Sequence, residues 1–399
     1  MSENSNTPTS ENGLATDLIH EGILRSQFGE TSEGLYLTSG YVYDSAEQAE
    51  ARFKGEDEGF IYSRFANPTV AMFESRMCAL EGAEMARATA SGMAAVTATM
   101  LCQLSAGDHV VAAKALFGSC RYVIEDLLPR FGIGMTLVDG KDLAQWETAM
   151  RPNTKILFLE SPTNPTLEVV DIAGVAKIAN AGDALLVVDN VFATPLHQRP
   201  LALGAHIVVY SATKHIDGQG RCLGGVVLGS EEFIMGHLHT FLRQTGPSIS
   251  PFNAWVMLKG LETLPLRVAR HVETASQIAD YLHNEAKISR VLYPGHKSHP
   301  QHDLAMKQMG SGGPMVAFEV AGGKAAAFKF SNALRIIRIS NNLGDAKSLI
   351  THPSTTTHQR LSEDARLELD ITDALLRISV GLEDAADLIR DIDAGLAAI

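Results

Sequence analysis

Between about Asn67 and Trp255, short runs that are apolar at nearly every position alternate with helix-like stretches. The runs are "HVVAA" (109–113), "KILFLE" (155–160), "ALLVVDN" (184–190) and "HIVVYSA" (206–212); "CRYVIEDLLPRFG" and "IAGVAKIANAG" lie between them. A strand with one wet face alternates apolar and polar residues, whereas a strand apolar throughout is covered on both sides. Runs of this kind separated by helices predict a mainly parallel sheet clad with helices on both faces. After "NAWVMLKGLETLPLRV" the pattern turns helical over "RVARHVETASQIADYLHNEA", which predicts a long connecting helix near 255–285. A shorter alternation follows through "PMVAFEVAG", "KAAAFKFSNAL" and "ALLRISVGLED", and "EDAADLIRDIDAGLAA" closes the chain at helical spacing. The pattern divides the chain into a polar, turn-rich N-terminal arm at 1–60, a large α/β domain at 61–255 and a smaller C-terminal α/β domain at 256–399. An arm of this composition is expected to wrap a partner subunit.

Composition narrows the function classes. At 399 residues the chain is long enough for two cores. With 45% apolar and 20% charged residues it matches an ordinary globular protein. A net charge of −13 gives no basic face for nucleic acid or an anionic membrane. No apolar run is long enough to span a bilayer, and "MSENSNTPTSENGL" reads as neither a signal nor a transit peptide. Cys78, Cys102, Cys120 and Cys222 are scattered without a C-x-x-C pair, which suits reduced thiols in a cytoplasm.

Sites in open α/β sheets gather at the carboxyl ends of the strands, and three such ends carry unusual residues. In "ATASGMAAVTATML", Ser91-Gly92-Met93 reads as a turn opening a helix of small residues. Free N–H groups and the positive dipole end there suit a phosphate, although such a turn is also an ordinary cap. Asp189 follows four apolar residues, so its carboxylate is expected at a strand end, largely desolvated and in need of a cationic partner. Lys214 stands one strand later, just after Ser211-Ala212-Thr213. A lysine in a partly desolvated site loses pKa and becomes a nucleophilic amine. Ser211 and Thr213 add hydroxyl donors beside it. A phosphate cradle, an acid for a pyridinium N–H and a Schiff-base lysine together define the needs of pyridoxal 5′-phosphate (PLP).

The segments "YSRFANPT", "ASGMAA", "ESPTNP", "VVDNVFATP", "SATKHIDGQGR", "GPSISPFNAW" and "LRISVGLED" resemble those of the Cys/Met-metabolism family of fold-type I PLP enzymes. The resemblance runs from about Ala15 over almost the whole chain. That family includes cystathionine synthases and lyases, methionine γ-lyase and the homoserine-ester sulfhydrylases. It implies an α/β fold-type I PLP-dependent transferase, with a mainly parallel seven-stranded sheet between helices and a smaller C-terminal α/β domain. It also implies that Lys214 bonds the cofactor and later moves protons, and that Asp189 pairs with the pyridine nitrogen. Ser91, Gly92 and Met93 would hold the phosphate, with Ser211 and Thr213 beside them. Asn164 would lie near the ring, and Arg377 would grip the substrate α-carboxylate, a contact suited to its fork. Tyr62 and Arg64 resemble the pair that reaches the phosphate of a neighbouring subunit's cofactor.

Many family members carry a tyrosine where this chain has Phe117. Phenylalanine can stack on a pyridine ring but cannot move a proton, so more of the proton traffic falls on Lys214. Phe117, the compact spacing of the motifs and "SNNLGDAKSLITHPSTTTHQRLS" (340–362) resemble the sulfhydrylase branch that uses the succinyl ester. The implied reaction is replacement of succinate by sulfide at Cγ, giving homocysteine for methionine biosynthesis. Alternatives within the family use cysteine as nucleophile, or eliminate as a γ-lyase. From another class, a nucleotide-binding α/β protein would use Ser91-Gly92 as a phosphate loop but leave Lys214 unexplained. The family further implies small-molecule substrates and a cytoplasmic homotetramer, a dimer of dimers with shared sites.

No metal site is expected. Pro294, Gly295 and Pro300 make the segment around His296, His299 and His302 a loop rather than a helical metal face. His352 and His358 flank "PSTTT" and are expected to order a substrate-side loop. The glycines of "GQGR" (218–221) are expected to let the backbone pass close to the cofactor.

Overall fold

The computed structural model describes residues 12–399; positions 1–11 of the expected arm lie outside the described residues. Seven strands form the first sheet: β1 (Met85–Thr89), β2 (His109–Ala113), β3 (Gly134–Val138), β4 (Thr154–Glu160), β5 (Leu185–Asp189), β6 (Ile207–Tyr210) and β7 (Gly225–Gly229). Their order is β1-β7-β6-β5-β4-β2-β3, parallel from β6 through to β3, with β7 running opposite to both its neighbours, β6 and β1. Alternate residues feed different cores, as the period-two geometry of a strand requires. Ile207 and Val209 join one buried cluster with Val187 and Leu157, while Val208 and Tyr210 join another with Phe73 and Met257.

The second sheet holds β8 (Ile288–Leu292), β9 (Met315–Val320), β10 (Arg338–Ile339), β11 (Leu349–Thr351) and β12 (Leu375–Ser379), in the order β10-β11-β12-β9-β8. It has its own core, in which Phe318, Phe330 and Ile378 pack with Leu388 and Ile392 of the closing helix Ala385–Ala397.

The single connecting helix expected near 255–285 is two helices, Pro251–Glu262 and Leu264–His283, broken at Thr263. Pro265 explains the break: it has no N–H to donate backwards and is tolerated only in the first turn of a new helix. The second helix bridges the two cores. Its Leu264 and Val268 pack under the first sheet, and its Ala275, Ile278, Ala279 and Leu282 under the second. The expected helix in "CRYVIEDLLPRFG" is a composite, a short α-helix at Gly118–Tyr122 running into a π-turn and a 3₁₀ turn that ends before Gly132. No helix among the described residues is long and apolar enough to cross a membrane.

Candidate active site

The parallel strands deliver their carboxyl ends to one edge of the first sheet, where a cavity of ≈ 230 Å³ opens toward the second sheet. Ser91 caps the helix Gly92–Leu101, its Oγ accepting the Ala94 N–H at 3.1 Å. The N–H groups of Gly92 and Met93 lie in the same first turn and have no partner among the described residues, which leaves two donors facing the cavity. Glycine is required here because a Cβ on Gly92 would stand 2.8 Å from the Cα of Ser211. On the same edge a Cβ on Gly225 would meet the carbonyl oxygen of Ser91 at 2.3 Å. The backbone is thus packed into a cradle at the helix start.

Asp189 ends β5, and its Oδ1 accepts only the Val191 N–H, at 3.2 Å. No cation pairs with it among the described residues, and burial raises its carboxyl to about 6. Beside it in register stands Glu160, the last residue of β4. Burial and the nearby Asp189 push the Glu160 carboxyl well up. Lys214 follows β6 and donates from Nζ to Asn342 Oδ1 at 2.6 Å. Burial, and then the positive charge of Arg377, lower its amine to about 8. Arg377, on β12, is 1% exposed. It donates from Nη1 to Asn164 Oδ1 at 2.5 Å and from Nη2 to the Asn341 carbonyl at 3.3 Å. Its Nε has no partner, and burial lowers its guanidinium to about 10. A fully buried fork resting on neutral oxygens is ready to receive a carboxylate.

Ser91, Gly92, Met93, Phe117, Asn164, Asp189, Ser211, Thr213, Lys214 and Arg377 all line this cavity. Tyr62 and Arg64 do not. Tyr62 is 41% exposed, and Arg64 lies over its ring while donating to the Arg243 carbonyl. The Thr213 hydroxyl is already engaged, donating to the Gly224 carbonyl and accepting the Gly224 N–H. The glycines after Lys214 serve a different purpose from the one expected. Gly218, at φ +71°, makes room for the Arg267 guanidinium, and Gly220, at φ +66°, for the Asp345 carboxylate. His352 bonds Thr355 and the Asp373 carbonyl, ordering the turn that brings Thr357 to the cavity. His296 and His302 spend a nitrogen each on Ser298 and the Pro294 carbonyl.

Glu160, Asn341 and Asn342 are site residues that sequence reasoning missed. Glu160 carried the same signal as Asp189, a carboxylate ending an apolar run. Asn341 and Asn342 lie in the segment 340–362 noted for its resemblance but carried no chemical signal of their own, since they arrive from the second sheet.

Two unbonded N–H donors in a glycine cradle, a buried carboxylate without a cation and an amine of lowered pKa fit PLP. Their order along the edge of a doubly wound sheet defines a PLP-dependent enzyme of fold type I. The chain belongs to the family of Cys/Met metabolism PLP-dependent enzymes, whose model matches residues 15–397. It is 52% identical to O-succinylhomoserine sulfhydrylase of Mycobacterium tuberculosis over 389 residues, covering 96% of this chain and 95% of that one. With the enzyme of the same name from Pseudomonas aeruginosa it shares 50% over 381 residues, covering 96% and 94%. A solved structure from Campylobacter jejuni that holds an N′-pyridoxyl-lysine-5′-monophosphate superposes with a TM-score of 0.94 at 31% identity, covering 97% of this chain and 100% of that one. Membership of this family sets aside the nucleotide-binding alternative.

Proposed function

We propose that this chain is an O-succinylhomoserine sulfhydrylase, which replaces the succinate of O-succinyl-L-homoserine with sulfide to give L-homocysteine. The observation that carries the reading is the convergence of Lys214, the unpaired Asp189 and the open fork of Arg377 on one cavity. The identity to two sulfhydrylases over nearly the full chain supports the choice within the family.

In this reading the N–H groups of Gly92 and Met93, with Ser91 and Ser211, hold the phosphate. Asp189 would accept the pyridine N–H, Phe117 would cover the ring, and Lys214 would bond the cofactor aldehyde. When bound, PLP supplies an electron sink for charge developing on the substrate carbons. Arg377 binds the substrate α-carboxylate with Asn164 beside it, aligning the chain with Lys214. Once the substrate's amino group had displaced Lys214 from the cofactor, the freed amine would take the Cα proton and then a Cβ proton, succinate would leave from Cγ, and the ammonium would return protons after sulfide had entered there. An amine near pKa 8 suits both directions of transfer around neutral pH. Phe117 has no hydroxyl to share that work.

We also infer a division into arm, large domain and small domain, with the boundary moved from the expected 255/256 into the helix Leu264–His283, because Leu258, Leu261, Leu264 and Val268 still pack in the first sheet's core. A cytoplasmic homotetramer of dimers with shared sites is inferred with it. Tyr62 and Arg64, outside their own cavity, would reach a neighbour's phosphate. The exposed arm residues Phe28, Leu37 and Val42 support a contact with a second copy. Four free cysteines support a reducing compartment.

The test is a competition assay in which PLP-loaded enzyme receives O-succinylhomoserine with equal sulfide and cysteine. Homocysteine as the main product is expected. Cystathionine would assign the chain to a cystathionine γ-synthase, and 2-oxobutyrate to a γ-lyase.

A further inference from the structure

Glu160 is a buried carboxylate in the cavity to which the proposed function gives no task. Both of its oxygens are spent on backbone N–H groups rather than on a cation. Oε2 accepts the Phe117 N–H at 2.8 Å, and Oε1 accepts the Asn164 N–H at 2.9 Å. These two residues belong to separate loops. Phe117 precedes the short helix Gly118–Tyr122 and has no side-chain cap of its own. Asn164 lies in the turn after β4, and its side chain carries Arg377 Nη1. Glu160 therefore stands between the aromatic wall and the arginine fork, bonded to the backbone of Phe117 on one side and to that of Asn164, which holds the fork, on the other. Burial and the Asp189 charge push its carboxyl up, and the two N–H bonds and Arg377 oppose them; in its ionised form Glu160 in turn supports the guanidinium of Arg377 against burial.

The geometry points to Glu160 as a positioning residue that sets the spacing between the Phe117 ring and the Asn164–Arg377 pair, and with it the fit of the substrate α-carboxylate. A carboxylate suits this task because it is acceptor-only at both oxygens. Glutamine of equal length turns an NH₂ donor toward one of the two N–H groups, and aspartate is one methylene too short to serve both. The inference rests on the reading of Arg377 as the carboxylate fork.

Steady-state kinetics of the PLP-loaded enzyme test it. Glu160→Gln is expected to raise KM for O-succinylhomoserine about tenfold while kcat falls less than about threefold, as the loss of a buried charge-assisted bond predicts. Because the effect of Glu160 on the α-carboxylate passes through the Asn164 side chain, the KM effects of Glu160→Gln and Asn164→Ala are expected to combine to clearly less than their product in the double variant. Multiplying KM effects, or an unchanged KM in the single variant, would overturn the role. Arg377→Ala separates the two layers. If it raises KM and Glu160→Gln does not, this inference fails and the carboxylate fork stands; if it leaves KM unchanged, the fork itself fails. Hydrogen exchange in the unmodified enzyme gives a readout that needs no variant to fold. The Phe117 and Asn164 amides are expected to be protected like strand amides, and exchange at the rate of exposed loop amides would also overturn the role.

Discussion

Asp189 and Lys214 reach the cavity from the ends of neighbouring parallel strands, whereas Arg377 reaches it from an antiparallel strand of the other sheet. On the first side, position follows from topology: parallel strands end at one edge, so the residue that ends β5 and those just past β6 come to the same edge. On the second side, position follows from packing. Arg377 faces Asn164, and Asn342 faces Lys214, only because the second sheet docks over the edge of the first. The proposed cofactor side is thus a property of one sheet, and the proposed substrate side is a property of their relation. Lesions on the two sides are expected to differ in kind.

The largest effect belongs to the strand-end side. Lys214→Ala is expected to lower turnover by on the order of 10³-fold or more and to abolish the borohydride-reducible visible band. A variant that kept the band would move the cofactor bond to another residue. Asp189→Asn removes the charge from an acid whose intended partner is buried, a loss of about 3–5 kcal/mol. It is expected to weaken cofactor retention during dialysis and to reduce kcat on the order of 10²-fold. Across the cavity, Arg377→Lys keeps the charge but loses the fork, and is expected to raise KM for the homoserine ester by about tenfold with cofactor content unchanged. Cofactor loss in that variant would erase the distinction between the two sides.

A pH measurement sharpens the coupling between them. Burial and Arg377 both disfavour the Lys214 ammonium, so the free amine grows as pH rises through about 8. The acid limb of the kcat profile is expected there, and Arg377→Met, which removes the second cause, is expected to move the limb to higher pH. The smallest effect is assigned to Thr213→Val. Its hydroxyl is engaged with Gly224, so the change is expected to cost about 1 kcal/mol of stability, read from thermal melts, and to alter PLP affinity less than about fivefold.

The strand-end half of the site was legible because its signals are local. An apolar run followed at once by Asp189, and another followed by Ser211-Ala212-Thr213-Lys214, declare a buried strand, its end and a desolvated polar group. Glu160 ends "KILFLE" by the same rule and could have been read with them. The motif resemblance pointed to Arg377 and Asn164, which both line the cavity, but no periodicity in β12 singles out one of its five buried residues. The break at Thr263 was missed although Pro265 was in view, because apolar spacing continues across it and hides the change of helix. Gly218 and Gly220 were placed at the cofactor by sequence proximity to Lys214, yet their lack of a Cβ serves Arg267 and Asp345, which arrive from distant elements.

From sequence alone follow the parallel sheet, the edge on which chemistry gathers, the cofactor and the lysine that would hold it. Each depends on residues adjacent along the chain or on strands whose direction is set by the helices between them. Tertiary structure alone decided that Asn342 meets the Lys214 amine, that Arg377 rests on neutral oxygens, that Glu160 ties two loops together, and that Tyr62 and Arg64 stand outside their own cavity. The physical reason is the range of the interactions. A strand and its end are decided by local burial and backbone pairing, whereas the Lys214–Asn342 and Arg377–Asn164 contacts, 128 and 213 positions apart, exist only once two separate cores have packed against each other. The Glu160–Phe117 contact, 43 apart, exists only once the loop after β2 has met the end of β4.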